Sequence, residues 1–217
     1  MKLTANFIHQ CVSASERMIM DNASELIHPL WLRVTHWLNA VAVVIMTMSG
    51  WRIYNATGFF GFPIPADITL GGWLGGAIQW HFAAMWLLVG NGLIYLAYNV
   101  LSGRLKTKFF PLSPRAFVAD VAATLNGRLS HADFKHYNTV QRAAYLFVII
   151  DVLVLVLSGL VLWKSVQFPL LRELLGGYET ARRIHFLAMT AMVAFVGVHL
   201  LMVALVPRTL LAMIRGR

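Results

Sequence analysis

The apolar stretch Thr180–Val206 constrains this chain more than any other, because it is long enough to cross a bilayer and carries two histidines, His185 and His199. Along a helix the fourteen-residue step between them advances about 21 Å and returns to within about 40° of the same face. Both imidazoles therefore project from one side, at two depths. A histidine inside hydrocarbon is costly unless it faces the bundle interior and has a partner there. One solution is a pair of hydrogen-bonded interior histidines. The other is ligation of haem iron, which takes one imidazole on each face, and that solution requires two more histidines at matching depths.

The whole chain suits a membrane. Of its residues 59% are hydrophobic and only 12% charged, and a mean hydropathy of +0.67 lies outside the soluble globular range. The net charge is +9, with the basic residues in connections and at span ends. Lipid headgroups and the positive-inside bias explain this distribution, and nucleic acid does not. The single cysteine, Cys11, excludes an intrachain disulfide, an iron–sulfur cluster held by this chain alone and a CxxCH haem attachment. Any haem is thus held non-covalently. Met1–Ile27 lacks the basic start, apolar core and small-residue cleavage site of a secretory signal. Residues 1–29 read as a polar, disordered lead, with Met18 and Met20 as alternative starts, and 30–217 as the membrane domain.

Four spans are expected, at about 30–54, 79–101, 140–163 and 180–206. The first contains His36 near its beginning, flanked by Trp31 and Trp37, and carries Gly50 fourteen residues further along the same face. That glycine allows either a close helix approach or room for a flat macrocycle. The connection Arg52–Gln79 contains Pro63, Pro65, Gly71-Gly72 and Gly75-Gly76, which break regular structure; a short surface helix is expected there. Span two opens with His81. The basic middle connection Ser102–Gln141 holds an expected amphipathic surface helix, Pro114–Asn126, whose apolar face is Phe117, Val118, Val121 and Leu125. Span three has no histidine but contains Asp151, an intramembrane carboxyl that is either functional or a neutral, hydrogen-bonded acid. The tail Arg208–Arg217 reads as short and basic. His9, His28 and His131 lie outside the spans and read as surface residues.

Four spans bring both chain ends to one side. Thirteen of the eighteen lysines and arginines fall on the side of the two ends and the middle connection, and five on the other. The bias puts the thirteen in the cytoplasm. His36 and His199 then lie near the inner face, and His81 and His185 near the outer face. Two same-depth pairs result, which favours two haems b over a bundle of hydrogen-bonded histidines. Arg182 and Arg183 run against the charge bias, which suggests contacts with haem propionates or outer headgroups.

The sequence resembles the bacterial cytochrome b561 and nickel-hydrogenase-type cytochrome b group, especially the cytochrome b subunits of formate dehydrogenase-N and nickel–iron hydrogenases. The resemblance covers about 29–215. It rests on His36-Trp37, Ser49-Gly50, His81, the His185/His199 spacing and the segment Lys135–Gln141, KHYNTVQ, which is similar to the family's K-Y-N-x-x-Q element. It departs from that element in the inserted His136, which shifts the register of Lys135 and is itself a candidate proton relay at the pocket mouth. The resemblance implies an outer haem on His81 and His185 and an inner haem on His36 and His199. It also implies a quinone pocket beside Asn138, Tyr137, Lys135 and Gln141, Asn138 being the best placed to hydrogen-bond a quinone carbonyl. A lysine and amides can donate to a carbonyl there; the plainer alternative is an interfacial loop that anchors span three.

The expected protein is an all-α, four-helix transmembrane bundle holding two haems b, with short amphipathic surface helices in its connections. It resides in the bacterial inner membrane with both termini cytoplasmic. It serves as the anchoring, electron-transfer subunit of a quinone-linked respiratory oxidoreductase. Its partner is a periplasmic catalytic protein of the molybdopterin or hydrogenase type, docked near Trp73 and Trp80, and quinone reduction is the default direction. Two alternatives stand: a free-standing superoxide:quinone-type oxidoreductase with the same four histidines, and a non-redox membrane anchor or transporter whose histidines are structural.

Overall fold

A computed structural model describes residues 28–102 and 139–216. Among these residues all regular structure is helical: α1 (Leu30–Ala56), a 3-10 turn (Ala66–Ile68), α2 (Leu74–Leu101), α3 (Thr139–Lys164), α4 (Pro169–Leu174), α5 (Tyr178–Leu205) and α6 (Pro207–Arg215). Four of them, α1, α2, the part of α3 from Ala143 to Lys164, and α5, are long and apolar enough to span a membrane. The surface helix expected at Pro114–Asn126 lies outside the described residues, as do residues 1–27.

The spans are apolar around most of their circumference. Large side chains such as Trp86, Leu93, Ile94, Ile150, Leu153, Leu187 and Leu200 point outward and are exposed, as expected of helices whose solvent is lipid. Many of the positions closed between helices are small: Ala42, Ser49, Ala77, Ala84, Ser158, Ala181 and Ala188. Small residues let backbones approach, and dispersion then replaces the hydrophobic drive that is absent in lipid. Backbone contacts concentrate within two pairs, α1 with α2 and α3 with α5, and are sparse between the pairs. The pairs are joined by aromatic contacts instead, Tyr54 with Phe186 at 4.6 Å and Phe82 with Trp163 at 5.2 Å.

Within the α1/α2 pair one buried polar node stands out. Asn91 donates to the Thr35 carbonyl at 2.8 Å and to Asn39 Oδ1 at 2.7 Å. Away from water these bonds have no competitor, so they lock the rotation of α2 against α1.

Span two begins five residues earlier than expected from the sequence. Gly71 and Gly72 do break the chain, with φ of 108° and 69°, a region that favours glycine. Gly75-Gly76, in contrast, lies inside the first turn of α2. A Cβ on Gly76 would sit 2.3 Å from the Gly71 carbonyl oxygen, and one on Gly71 would sit 2.4 Å from the backbone of Ala77. Gly76 is there for backbone-to-backbone packing and Gly75 leaves room for the Trp73 ring, which a Cβ would meet at 2.3 Å; composition cannot distinguish either role from chain breaking. The rest of this connection is tied to α1. Asn55 exchanges two 2.8 Å bonds with the backbone of Ile64, Tyr54 donates to the Phe62 carbonyl at 3.0 Å, and Arg52 donates to the Gly72 carbonyl.

The basic tail is also more ordered than its composition suggests. Pro207 cannot continue the hydrogen bonding of α5, so the chain turns and restarts as α6 with proline in its first turn. The helix closes at Gly216 in the left-handed region. Arg33 of α1 donates to the carbonyls of Met213 and Ile214 at that end, where a cation complements the helix dipole. Leu210, Leu211 and Ile214 are exposed and Arg208 and Arg215 flank them, the composition of a helix lying in a membrane interface.

Replacing Asn91 with alanine should weaken the α1/α2 pair by about 1 kcal/mol, the scale of interhelical hydrogen bonds in membranes. A lower thermal midpoint of the detergent-purified protein, with helix content unchanged by circular dichroism, is the expected result.

Candidate functional site

The four span histidines form two cross-bundle pairs. His81 of α2 and His185 of α5 have ring centroids 6.3 Å apart, and His36 of α1 and His199 of α5 have theirs 6.1 Å apart. Helix α5 thus contributes one imidazole to each pair, and each pair bridges the two helix pairs.

These separations can be compared with what one iron demands. An imidazole nitrogen binds a transition metal at about 2.0 Å and lies about 1.1 Å from its ring centroid, so two imidazoles on opposite sides of one metal have centroids about 6.2 Å apart. Both observed pairs meet that distance. Among the described residues no cluster of three or more histidine, cysteine or carboxylate side chains exists. Two ligands per site suit haem, whose porphyrin supplies the remaining four nitrogens, and do not suit a tetrahedral metal ion held by protein alone.

The protonation of one pair follows from its neighbours. Ser49 Oγ is 2.6 Å from the Ile45 carbonyl and 3.1 Å from His81 Nδ1. Ser158 Oγ is 2.6 Å from the Val154 carbonyl and 3.0 Å from His185 Nδ1. Each serine proton is committed to its own helix, so the hydroxyl oxygen faces the imidazole as an acceptor and Nδ1 must donate. Nε2 is then left as the lone-pair nitrogen, the state in which histidine binds a metal.

Glycines follow both serines. A Cβ on Gly50 would lie 3.5 Å from His81 Cε1, and one on Gly159 3.3 Å from His185 Cε1. A Ser-Gly dipeptide on one helix therefore seats the histidine of its partner helix, once in α1/α2 and once in α3/α5. Gly50 was legible in the sequence. Gly159 and Ser158 were missed, because span three has no histidine to draw attention to its face; the signal was the second Ser-Gly inside a span. The His36/His199 pair is supported differently, by the rings of Trp37 at 5.5 Å from His36 and Phe195 at 6.2 Å and nearly parallel to His199.

The remaining sequence candidates divide. Arg182 donates to the Thr57 carbonyl and, at 2.9 Å, to the Thr57 hydroxyl; it also pairs with Glu179 at 3.2 Å and covers the Phe59 ring at 4.6 Å. It anchors the α1–α2 connection to α5, a role the sequence reading did not include. Arg183 is exposed one residue further. Lys135, His136, Tyr137 and Asn138 lie outside the described residues, and Gln141 falls in the first turn of α3.

A four-helix membrane bundle that sets imidazole pairs at two depths belongs to the class of membrane cytochromes. The family profile described as prokaryotic cytochrome b561 matches residues 27–216. A relative from Azospira oryzae, provisionally named protein-methionine-sulfoxide reductase subunit YedZ1, is 75% identical over 190 residues, 88% of this chain and 96% of its own length. No solved structure matches. The chain belongs to the prokaryotic cytochrome b561 family, whose members are haem b-binding membrane proteins of electron transfer.

Gly159→Leu should push His185 out of register, because the added side chain starts at a contact tighter than van der Waals, whereas Gly50→Ala meets only ordinary contact. Visible spectra of the two purified variants should show haem absorbance reduced in the first and retained in the second.

Proposed function

We propose that this chain is a di-haem cytochrome b that carries electrons across the bacterial inner membrane between quinone at the inner face and a catalytic subunit outside. The observation that carries the reading is the pair of imidazole couples, each at the one-iron separation and stacked along α5. His81 and His185 would hold the outer haem, and His36 and His199 the inner one. The haems supply one-electron carriage. The protein residues supply the rest: Ser49 and Ser158 hold two of the imidazoles in the binding tautomer, and Gly50 and Gly159 admit them close to the helix backbone. Arg182 and Arg183, at the outer end of α5, have further N–H groups to offer propionates.

The partner is read from the relative's name. A methionine-sulfoxide reductase subunit belongs to a reductive system, which favours electron delivery outward over the quinone reduction expected as a default and over a formate dehydrogenase or hydrogenase partner. Converting a sulfoxide to a thioether and water consumes two electrons and two protons, and a quinol releases two of each. A molybdopterin enzyme outside remains the proposed catalytic partner. Asn138, Tyr137, Lys135 and Gln141 remain the proposed quinol contacts. The subunit in the relative's name also favours this reading over a free-standing superoxide:quinone oxidoreductase.

Detergent-purified protein should contain two haems b per chain. His81→Ala and His185→Ala should each abolish the same spectral component, and His36→Ala and His199→Ala the other. A single haem, or four variants with independent effects, would refute the di-haem assignment. Reduction by a quinol analogue, followed by reoxidation only when the co-purified partner and a methionine sulfoxide are both present, is the expected directional result.

A further inference from the structure

Asp151 is the carboxyl of the spans that this reading leaves unused. It is 7% exposed, and its Oδ2 has no hydrogen-bond partner among the described residues. Two contacts fix its depth. Ser158 of α3 meets His185 of α5 at 3.0 Å, and Phe147 of α3 meets Phe195 of α5 at 5.7 Å between rings. This antiparallel register puts Asp151 opposite Ala191 and Met192. It therefore lies midway between His185 and His199, about 10 Å along the axis from each pair.

Among the described residues of the spans no cation stands at the depth of Asp151. Helix α5 has no titratable side chain between His185 and His199, and α1 has none between His36 and Arg52. Beyond His81, α2 has only the phenols Tyr95 and Tyr98, and α3 has Arg142 and Tyr145 toward one end, nine and six residues from Asp151, and Lys164 at the other. A carboxylate at this position has no standing cation to compensate it, and an unpaired charge in hydrocarbon is costly. The charges that do change nearby are those of the two haems of the reading above, on which this inference rests. Each loses one positive charge when it takes an electron. At about 10 Å and an effective dielectric of about 20, one unit of charge alters a proton equilibrium by more than about tenfold.

We propose that Asp151 is the redox-linked proton site of the bundle, binding one proton as an electron enters the haems and releasing it as the electron leaves. One electron and one proton are gained together, the carboxylate becoming the neutral acid, and no covalent bond other than O–H changes. The buried layer thereby avoids a net negative charge while electrons pass through it.

The test is spectroelectrochemical titration of the full-length protein in nanodiscs across about pH 5–9, with haem counted in the same samples. In the wild type, haem potentials should fall as pH rises, by at most about 59 mV per unit for one proton per electron. Asp151→Asn mimics the neutral acid, so its potentials should stay near the wild-type low-pH values at every pH. A flat wild-type profile, or an equal slope in Asp151→Asn with two haems present, overturns the inference and leaves the di-haem reading standing. Fewer than two haems in the wild type overturns both. Should Asp151→Asn fail to retain haem, the reduced-minus-oxidised infrared spectrum of the wild type decides. A carboxylic C=O band gained on reduction and shifted by deuterium supports the site, and its absence rejects it.

Discussion

Everything in this bundle depends on placing four imidazoles inside hydrocarbon. Each is a polar group that lipid cannot hydrate, so each must meet a partner, and the helices are arranged to provide one. The twin Ser-Gly seats show how this is done with minimal chemistry. A serine whose proton already belongs to its own helix turns an acceptor toward Nδ1, which orients the ring and leaves Nε2 free. The glycine beside it lets the ring lie against the helix, closely at Gly159, where a Cβ would stand 3.3 Å from the imidazole, and less so at Gly50, where the contact would be an ordinary 3.5 Å.

The division of backbone contacts follows from the same requirement. Close small-residue packing is confined to α1/α2 and α3/α5, and the imidazole pairs span the space between these units. Were all four helices packed at alanine distance, the centroids could not stand 6.1 and 6.3 Å apart. Rigidity between the units comes instead from the end bearing His81 and His185. There the aromatic cluster around Tyr54 and Phe186, and Arg182 bonded to Thr57, join α5 to the α1–α2 connection.

Much of the site was legible before the fold. Helical arithmetic alone pairs His185 with His81 and His199 with His36, because apolar length sets the spans and alternation of direction sets the depths. The first seat, Ser49-Gly50, was noticed for the same reason, being on the face of His36. Its counterpart on α3 escaped, since a Ser-Gly without a histidine on its own helix is indistinguishable from ordinary small-residue packing. Gly75-Gly76 was misjudged by the same ambiguity: a glycine pair can break a helix or admit a neighbour's backbone, and only the 2.3 Å approach to Gly71 distinguishes the two.

The sequence by itself determined the solvent, the number of spans and the depth of each histidine, because these depend on length, apolarity and the fixed rise of a helix. Tertiary structure decided what faces what. It brought Ser158 to His185, turned Arg182 onto Thr57, held the end of α6 with Arg33 and left the Asp151 carboxyl midway between two imidazole pairs. Those outcomes depend on the rotation of each helix about its axis, which is set by the sum of small contacts with neighbours distant in the chain.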